Sequence, residues 1–183
     1  MTQLLSTAVV PREQRLAYWT DMICNVYVQL GCDPVHGGDS GDPGDFEGSI
    51  RQHTLPGLDA SVVTSSPQKV MRTPGHISHS SDDYFLVSIQ ARGQGVVRQD
   101  GRDAVLSAGD FALYDSTRAY ELHFEGDFQQ IVLKLPGEQL RSAVRDTSKL
   151  TATTVSGRAG AGHLMISMIK TLWEDVDALE PAS

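Results

Sequence analysis

Four groups of residues in this chain could do chemistry. His76 and His79 stand three apart in "PGHISHSS", and two imidazoles so close in sequence can share a metal ion. Arg72 sits in "KVMRT". An arginine beside an apolar pocket can clamp a carboxylate through two parallel hydrogen bonds. Cys24 and Cys32 are the two thiols of the chain. The stretch "RGQGVVRQDGRDAVLSAGDFALYD" begins Gly-x-Gly, which at the start of a helix can cradle a phosphate.

The surroundings decide among these. A dinucleotide fingerprint needs a third glycine and a following helix; here Arg98 takes that position and "VVRQ" reads as strand. A P-loop needs Gly-Lys-Ser/Thr, which is missing. Gly93, Gly95, Gly101 and Gly109 read instead as chain reversals that need positive φ, with Asp100-Gly101 a strong hairpin signal. The histidine pair reads as polar groups near a strand entrance. The cysteines read as reduced thiols. The aspartates of "GCDPVHGGDSGDPGD" lack the glutamate that a calcium loop needs at a fixed offset. No nucleophile elbow is present.

Charge narrows the partners. Asp and Glu total 23 against 15 Lys and Arg, a formal charge of −8, so the chain repels a phosphate backbone. Hydrophobic residues make up 40%, enough for a core, and 183 residues suit one domain with a helical appendage. No apolar run approaches the roughly 20 residues that cross a bilayer, and no signal-peptide pattern opens the chain. The expected compartment is the cytoplasm, with no membrane partner.

The elements that must position these residues fall into three parts. Residues 1–45 read as an N-terminal helix and a mobile loop: "PREQRLAYWTDMICNVYVQL" places Leu16, Trp19, Ile23 and Val26 on one face, with Pro11 in its first turn, and Gly31 to Asp45 is a loop. Residues 46–136 hold nine short runs rich in Val, Ile, Tyr and Phe, among them "QKVMRT", "YFLVSIQA", "GVVRQ", "DFALYD" and "YELHFE". Such spacing predicts an antiparallel sandwich or barrel. Residues 137–183 turn helical, with a short helix in "GEQLRSAVRD" and a longer one after it. In the longer one Met165, Ile169, Leu172, Val176 and Leu179 are spaced as a heptad seam. Such a seam packs on its own domain or pairs with a second copy; Ile166 and Trp173, on an adjoining face, take the other role.

The full ordered set of "RLAYW", "SSPQKVMRT", "DGR", "AGDFALYD" and "RAYEL" resembles the sensor domain of the arabinose-regulator (AraC/XylS) family of bacterial transcription factors. The subgroup is typified by regulators of aromatic acid and amine catabolism. The resemblance covers about Arg15 to Pro136. It implies a mainly β chain with C-terminal helices (α+β): a cupin-like jelly-roll barrel followed by a helical dimerisation segment. Full-length members add a helix-turn-helix domain, which this chain does not show; "LEPAS" reads as the start of a linker toward it. DNA would be reached only through that further domain.

Cupin enzymes, similar in fold, hold a metal with three His and one Glu. Counting from Gly109 places Tyr120 where a ligand histidine belongs, and counting back from Gly93 places Leu86 at the glutamate; His79 alone could survive. Leu and Tyr cannot supply an imidazole and a carboxylate, so no metal, cofactor or catalytic residue is expected. Those positions still give strand parity. Tyr84, Leu86, Ser88 and Gln90 would line the barrel on one strand, and Tyr120, Leu122 and Phe124 on another, while Phe85, Val87 and Ile89 pack against a second layer. Arg72 either clamps a ligand carboxylate, since an arginine near this point contacts the sugar in the arabinose regulator, or forms a surface salt bridge; Arg51 and Arg98 are weaker candidates. Trp19 either closes over the pocket or belongs to the core. The expected function is effector sensing and dimerisation in a transcription activator, with a small organic ligand, aromatic or another carboxylate, inside a metal-free barrel. The rivals are a metal-dependent cupin enzyme and a ligand-free dimerisation module.

Overall fold

The computed structural model describes residues 2–35, 45–55 and 58–175. Two strands precede the expected barrel: β1 (Thr2–Ser6) and β2 (Gly31–Pro34), with helix α1 (Arg15–Val26) between them. The nine apolar runs all form strands. They are β3 (Gly48–Leu55), β4 (Leu58–Ser65), β5 (Gln68–Arg72), β6 (Tyr84–Arg92) and β7 (Gly95–Gln99), followed by β8 (Arg102–Leu106), β9 (Asp110–Asp115), β10 (Tyr120–Phe124) and β11 (Phe128–Pro136). A short helix α2 (Pro74–Ser78) joins β5 to β6. After the barrel come α3 (Gly137–Ala143), the two-residue strand β12 (Val155–Ser156) and α4 (Gly160–Asp175). No helix among the described residues is long and apolar enough to cross a membrane.

The strands form two sheets, ordered β1-β3-β4-β11-β6-β9-β12 and β2-β5-β10-β7-β8. Burial alternates along β5 and β10, buried at Gln68, Val70 and Arg72 and at Tyr120, Leu122 and Phe124. This is the period of a strand with one face on a core. The main core lies between the sheets and under α1, whose Trp19, Met22, Ile23 and Val26 are buried in it, with Leu16 packed at the edge. Each such side chain contributes up to about 1.5–3 kcal/mol by leaving water.

Turn chemistry follows the sequence at one hairpin and departs from it at another. Asp100 and Gly101 adopt φ of 56° and 72° between paired Gln99 and Arg102, the two-residue turn expected. Gly93 and Gly109 also sit at positive φ, but Gly95 does not. Its reason is space: a Cβ there would lie 2.6 Å from the Phe124 ring. What the sequence marks as a turn glycine is a close approach between β7 and β10.

Three boundaries differ from the sequence reading. Pro11 precedes a 3-10 turn (Arg12–Gln14), and α1 starts only at Arg15. Gly31–Pro34, expected as loop, pairs with β5 as an edge strand, where a proline without N–H is tolerated; residues 36–44 of that expected loop lie outside the described residues. β1 adds another edge by pairing with β3. The barrel therefore recruits strands from outside residues 46–136.

The C-terminal helix also differs. Ile166 and Ile169, 5% and 8% exposed, pack with Val87, Ile89 and Phe111 on the outer face of the larger sheet, with Met165 beside them. Ile169 and Met165, on a seam expected either to pair with a second copy or to pack on its own domain, thus face the chain's own barrel. Among the described side chains of α4, the large apolar ones left exposed are Leu164 and Met168, at 71% and 59%. The side chain of Leu172 and residues Val176 and Leu179 lie outside the described residues, as does the side chain of Trp173. The second layer expected over Phe85, Val87 and Ile89 is helical, because the Arg141 guanidinium of α3 lies over the Phe85 ring.

Candidate functional site

A cavity of about 50 Å³ lies between the sheets. Its walls follow from register. On the smaller sheet, Tyr120 pairs with Arg72, Leu122 with Val70 and Phe124 with Gln68, all six facing inward. On the larger sheet, Leu86 pairs with Tyr114 and Ser88 with Ala112. α1 covers the open side with Trp19 and Ile23, and Tyr27 follows just past its end.

Of the residues the sequence assigned to this site, Trp19, Leu86, Tyr120 and Leu122 line the cavity, together with Phe124. Trp19 therefore serves both expected roles: it is fully buried in the core and forms a wall. Ser88 and Gln90 are inward and buried but stand behind the wall. Ser88 shares a hydrogen bond of 2.9 Å with the Tyr114 hydroxyl, and Gln90 accepts one of 2.8 Å from Gln130 Nε2. Tyr84 lies outside the cavity, with Lys134 Nζ 4.8 Å from its ring centre. Arg51 and Arg98 are exposed.

Arg72 is neither a surface ion pair nor a cavity wall. It is 1% exposed and ends the inner face of β5. Its Nε donates to the Ser116 carbonyl at 2.6 Å, Nη1 to the Gln29 carbonyl and Nη2 to Ser80 Oγ at 3.4 Å, with the Asp82 carboxylate at 4.0 Å. One guanidinium thus ties three loops at one end of the barrel. At the opposite end Trp19 Nε1 donates to Gln68 Oε1 at 2.9 Å, the Gly48 N–H donates to Thr7 Oγ1 at 3.0 Å, and Arg15 pairs with Glu47 at 3.3 Å. Outside that end lies an open cleft of about 430 Å³ lined by Ser6, Arg15, Gly48, Ser65 and Phe128, among others. Phe128 belongs to both spaces, and Trp19 packs so closely on Gly48 that a Cβ there would lie 2.5 Å from the indole.

The polar wall residues missed by sequence reasoning are Tyr27, Tyr114, Gln68 and Gln130. The period of "DFALYD" places Ala112 and Tyr114 on one face, a signal that could have found Tyr114. Burial pushes the Tyr114 hydroxyl up to about 12 and raises Tyr27 and Tyr120 as well, so all three phenols are neutral. Among the described residues the wall carries no Asp, Glu, Lys, Arg or His.

The residues do not fit a cupin metal. Leu86 and the neutral Tyr120 face inward where imidazole and carboxylate would have to stand. Among the described residues no group of three or more His, Cys, Asp and Glu gathers as a ligand set. His76 and His79 serve α2 locally: His76 Nδ1 accepts from the Thr73 N–H at 3.1 Å, and His79 Nδ1 lies 2.9 Å from the Gly75 carbonyl. Cys24 and Cys32 are free thiols, with Cys24 donating to the Leu30 carbonyl at 3.3 Å.

Comparison with known proteins adds the following. A family model described as the AraC-binding-like domain matches residues 19–183. The chain is 40% identical over 176 residues to an uncharacterized protein encoded in a nit 5′ region of Bacillus sp. (strain OxB-1), covering 96% of this chain and 65% of that protein. It is 34% identical over 110 residues to the transcriptional activator NphR of Rhodococcus sp, covering 59% of this chain and 33% of NphR. The chain thus spans less than two thirds of either relative. Among solved structures, the AraC-like transcriptional activator CuxR superposes with a TM-score of 0.83 at 16% identity, over 97% of this chain and 62% of CuxR.

Proposed function

Because the chain belongs to the AraC-binding-like domain family, we propose that it is the effector-sensing part of a cytoplasmic transcription activator. A small organic molecule binds in the barrel between the sheets. The observation that carries this reading is the cavity itself: a largely apolar space between the sheets, covered on one side by a helix that rests on it through Trp19. A ligand there contacts α1 directly, so occupancy biases how α1 sits on the barrel. DNA is bound by a further domain of the longer protein.

The domain also forms a homodimer through α4. Leu164 and Met168 supply the apolar surface for it, since they stand opposite the face docked on the sheet.

The test is a thermal-shift screen of small aromatic and aliphatic molecules against the chain. A ligand at about 100 times its Kd stabilises the fold by about 2.7 kcal/mol, a shift of several degrees. At least one compound should raise the melting temperature. If none does, the sensing reading fails.

A further inference from the structure

Resting on the sensing reading above, we propose that the cavity selects a small uncharged molecule with a hydrogen-bond acceptor, held by the Tyr120 hydroxyl, and rejects the carboxylates that the sequence suggests.

The wall decides the charge. Among the described residues its polar groups come from Trp, Gln and Tyr alone. A carboxylate placed among them loses its water and gains no cation, a penalty of several kcal/mol. Arg72 stands across the strand pair from Tyr120. Yet its three nitrogens already donate to the Ser116 and Gln29 carbonyls and to Ser80, and Arg72 is not part of the wall.

The hydrogen-bond inventory decides the anchor. Trp19 is bonded to Gln68, Tyr27 to Ser61, Tyr114 to Ser88 and Gln130 to Gln90. Among the described residues the Tyr120 hydroxyl makes no hydrogen bond. It stays protonated, because burial holds its pKa well above the ordinary phenol value, so it offers a donor. The Tyr120 ring packs against Tyr114 with centroids 4.7 Å apart, which restrains its rotation, and Tyr120 is part of the cavity wall.

Size sets the remaining limit. A dry cavity that takes benzene measures about 150 Å³. The present 50 Å³ takes a molecule of a few heavy atoms as it stands, and an aromatic one only as Trp19 and α1 move outward.

Two pairs of probes, propionamide with propionate and benzamide with benzoate, separate charge from shape. Calorimetric titration of the chain at neutral pH should show an amide binding at least about tenfold more tightly than its acid. Tyr120→Phe should weaken the amide about tenfold while leaving the melting temperature nearly unchanged, because the lost hydroxyl orphans no protein group. A carboxylate binding as well as its amide overturns the inference and leaves the sensing reading standing. Unchanged amide affinity in Tyr120→Phe overturns the anchor. If neither amide binds, the inference falls whatever the broader screen finds.

Discussion

Arg72 sits on the inner face of a strand with its charge turned toward main-chain carbonyls, and that placement makes a prediction. Replacing it with methionine keeps most of the volume but leaves the Ser116 and Gln29 carbonyls without their donor. Arg72→Met should lower stability by about 3 kcal/mol in urea unfolding. Arg98→Met, which removes an exposed pair with Asp103, should cost no more than about 0.5 kcal/mol. Equal effects would mean that Arg72 does not tie the barrel end. The sequence shows Arg72 as a cation in an apolar run but not which atoms it meets, because Ser116 and Gln29 lie more than forty positions away. Strand parity made Leu86, Tyr120 and Leu122 legible as inward. Tyr27 continues the four-residue spacing of Trp19 and Ile23 and could have been read as inward, but not its partner: it lies just past the end of α1 and reaches Ser61 on β4.

At the scale of elements, the nine central strands were legible because alternation is local. β1 and β2 were not, since short edge strands take their identity from a partner: β2 exists by pairing with β5 and β1 by pairing with β3. The same limit governs α4. A heptad spacing cannot tell a seam with another molecule from a seam with the chain's own sheet. Residues 162, 166 and 169 face inward here, and Leu164 and Met168 face out. The double variant Leu164→Glu/Met168→Glu should elute as a monomer with an unchanged melting temperature. Ile169→Glu should instead lower the melting temperature, because it drives a charge into the Val87–Ile89–Phe111 surface. Dimers that survive the double variant would place the interface elsewhere.

Across the whole molecule, three of the five tyrosines, Tyr27, Tyr114 and Tyr120, are buried with raised hydroxyl pKa values. The unfolded chain ionises them near pH 10, whereas the folded chain holds Tyr114 neutral to about 12 and the others also above 10. A raised folded value means that the folded state keeps its proton longer, so stability is full below pH 10 and falls as pH rises through that window. Urea unfolding should show this decline, and phenolate absorbance from these three should appear together with loss of the fold. Ionisation of all three in the folded protein would contradict their burial. The two ends of the barrel carry a different consequence. One end is tied at three points by Arg72, and the other, held by the Trp19–Gln68 bond, the Gly48 N–H bond to Thr7 and the Arg15–Glu47 ion pair, borders an open cleft. If an effector enters through that cleft, entry and exit share one turnstile, and its opening frequency would set the pace. Beyond a certain abundance, more effector would not register sooner: the domain would report sustained supply and let brief pulses pass unread.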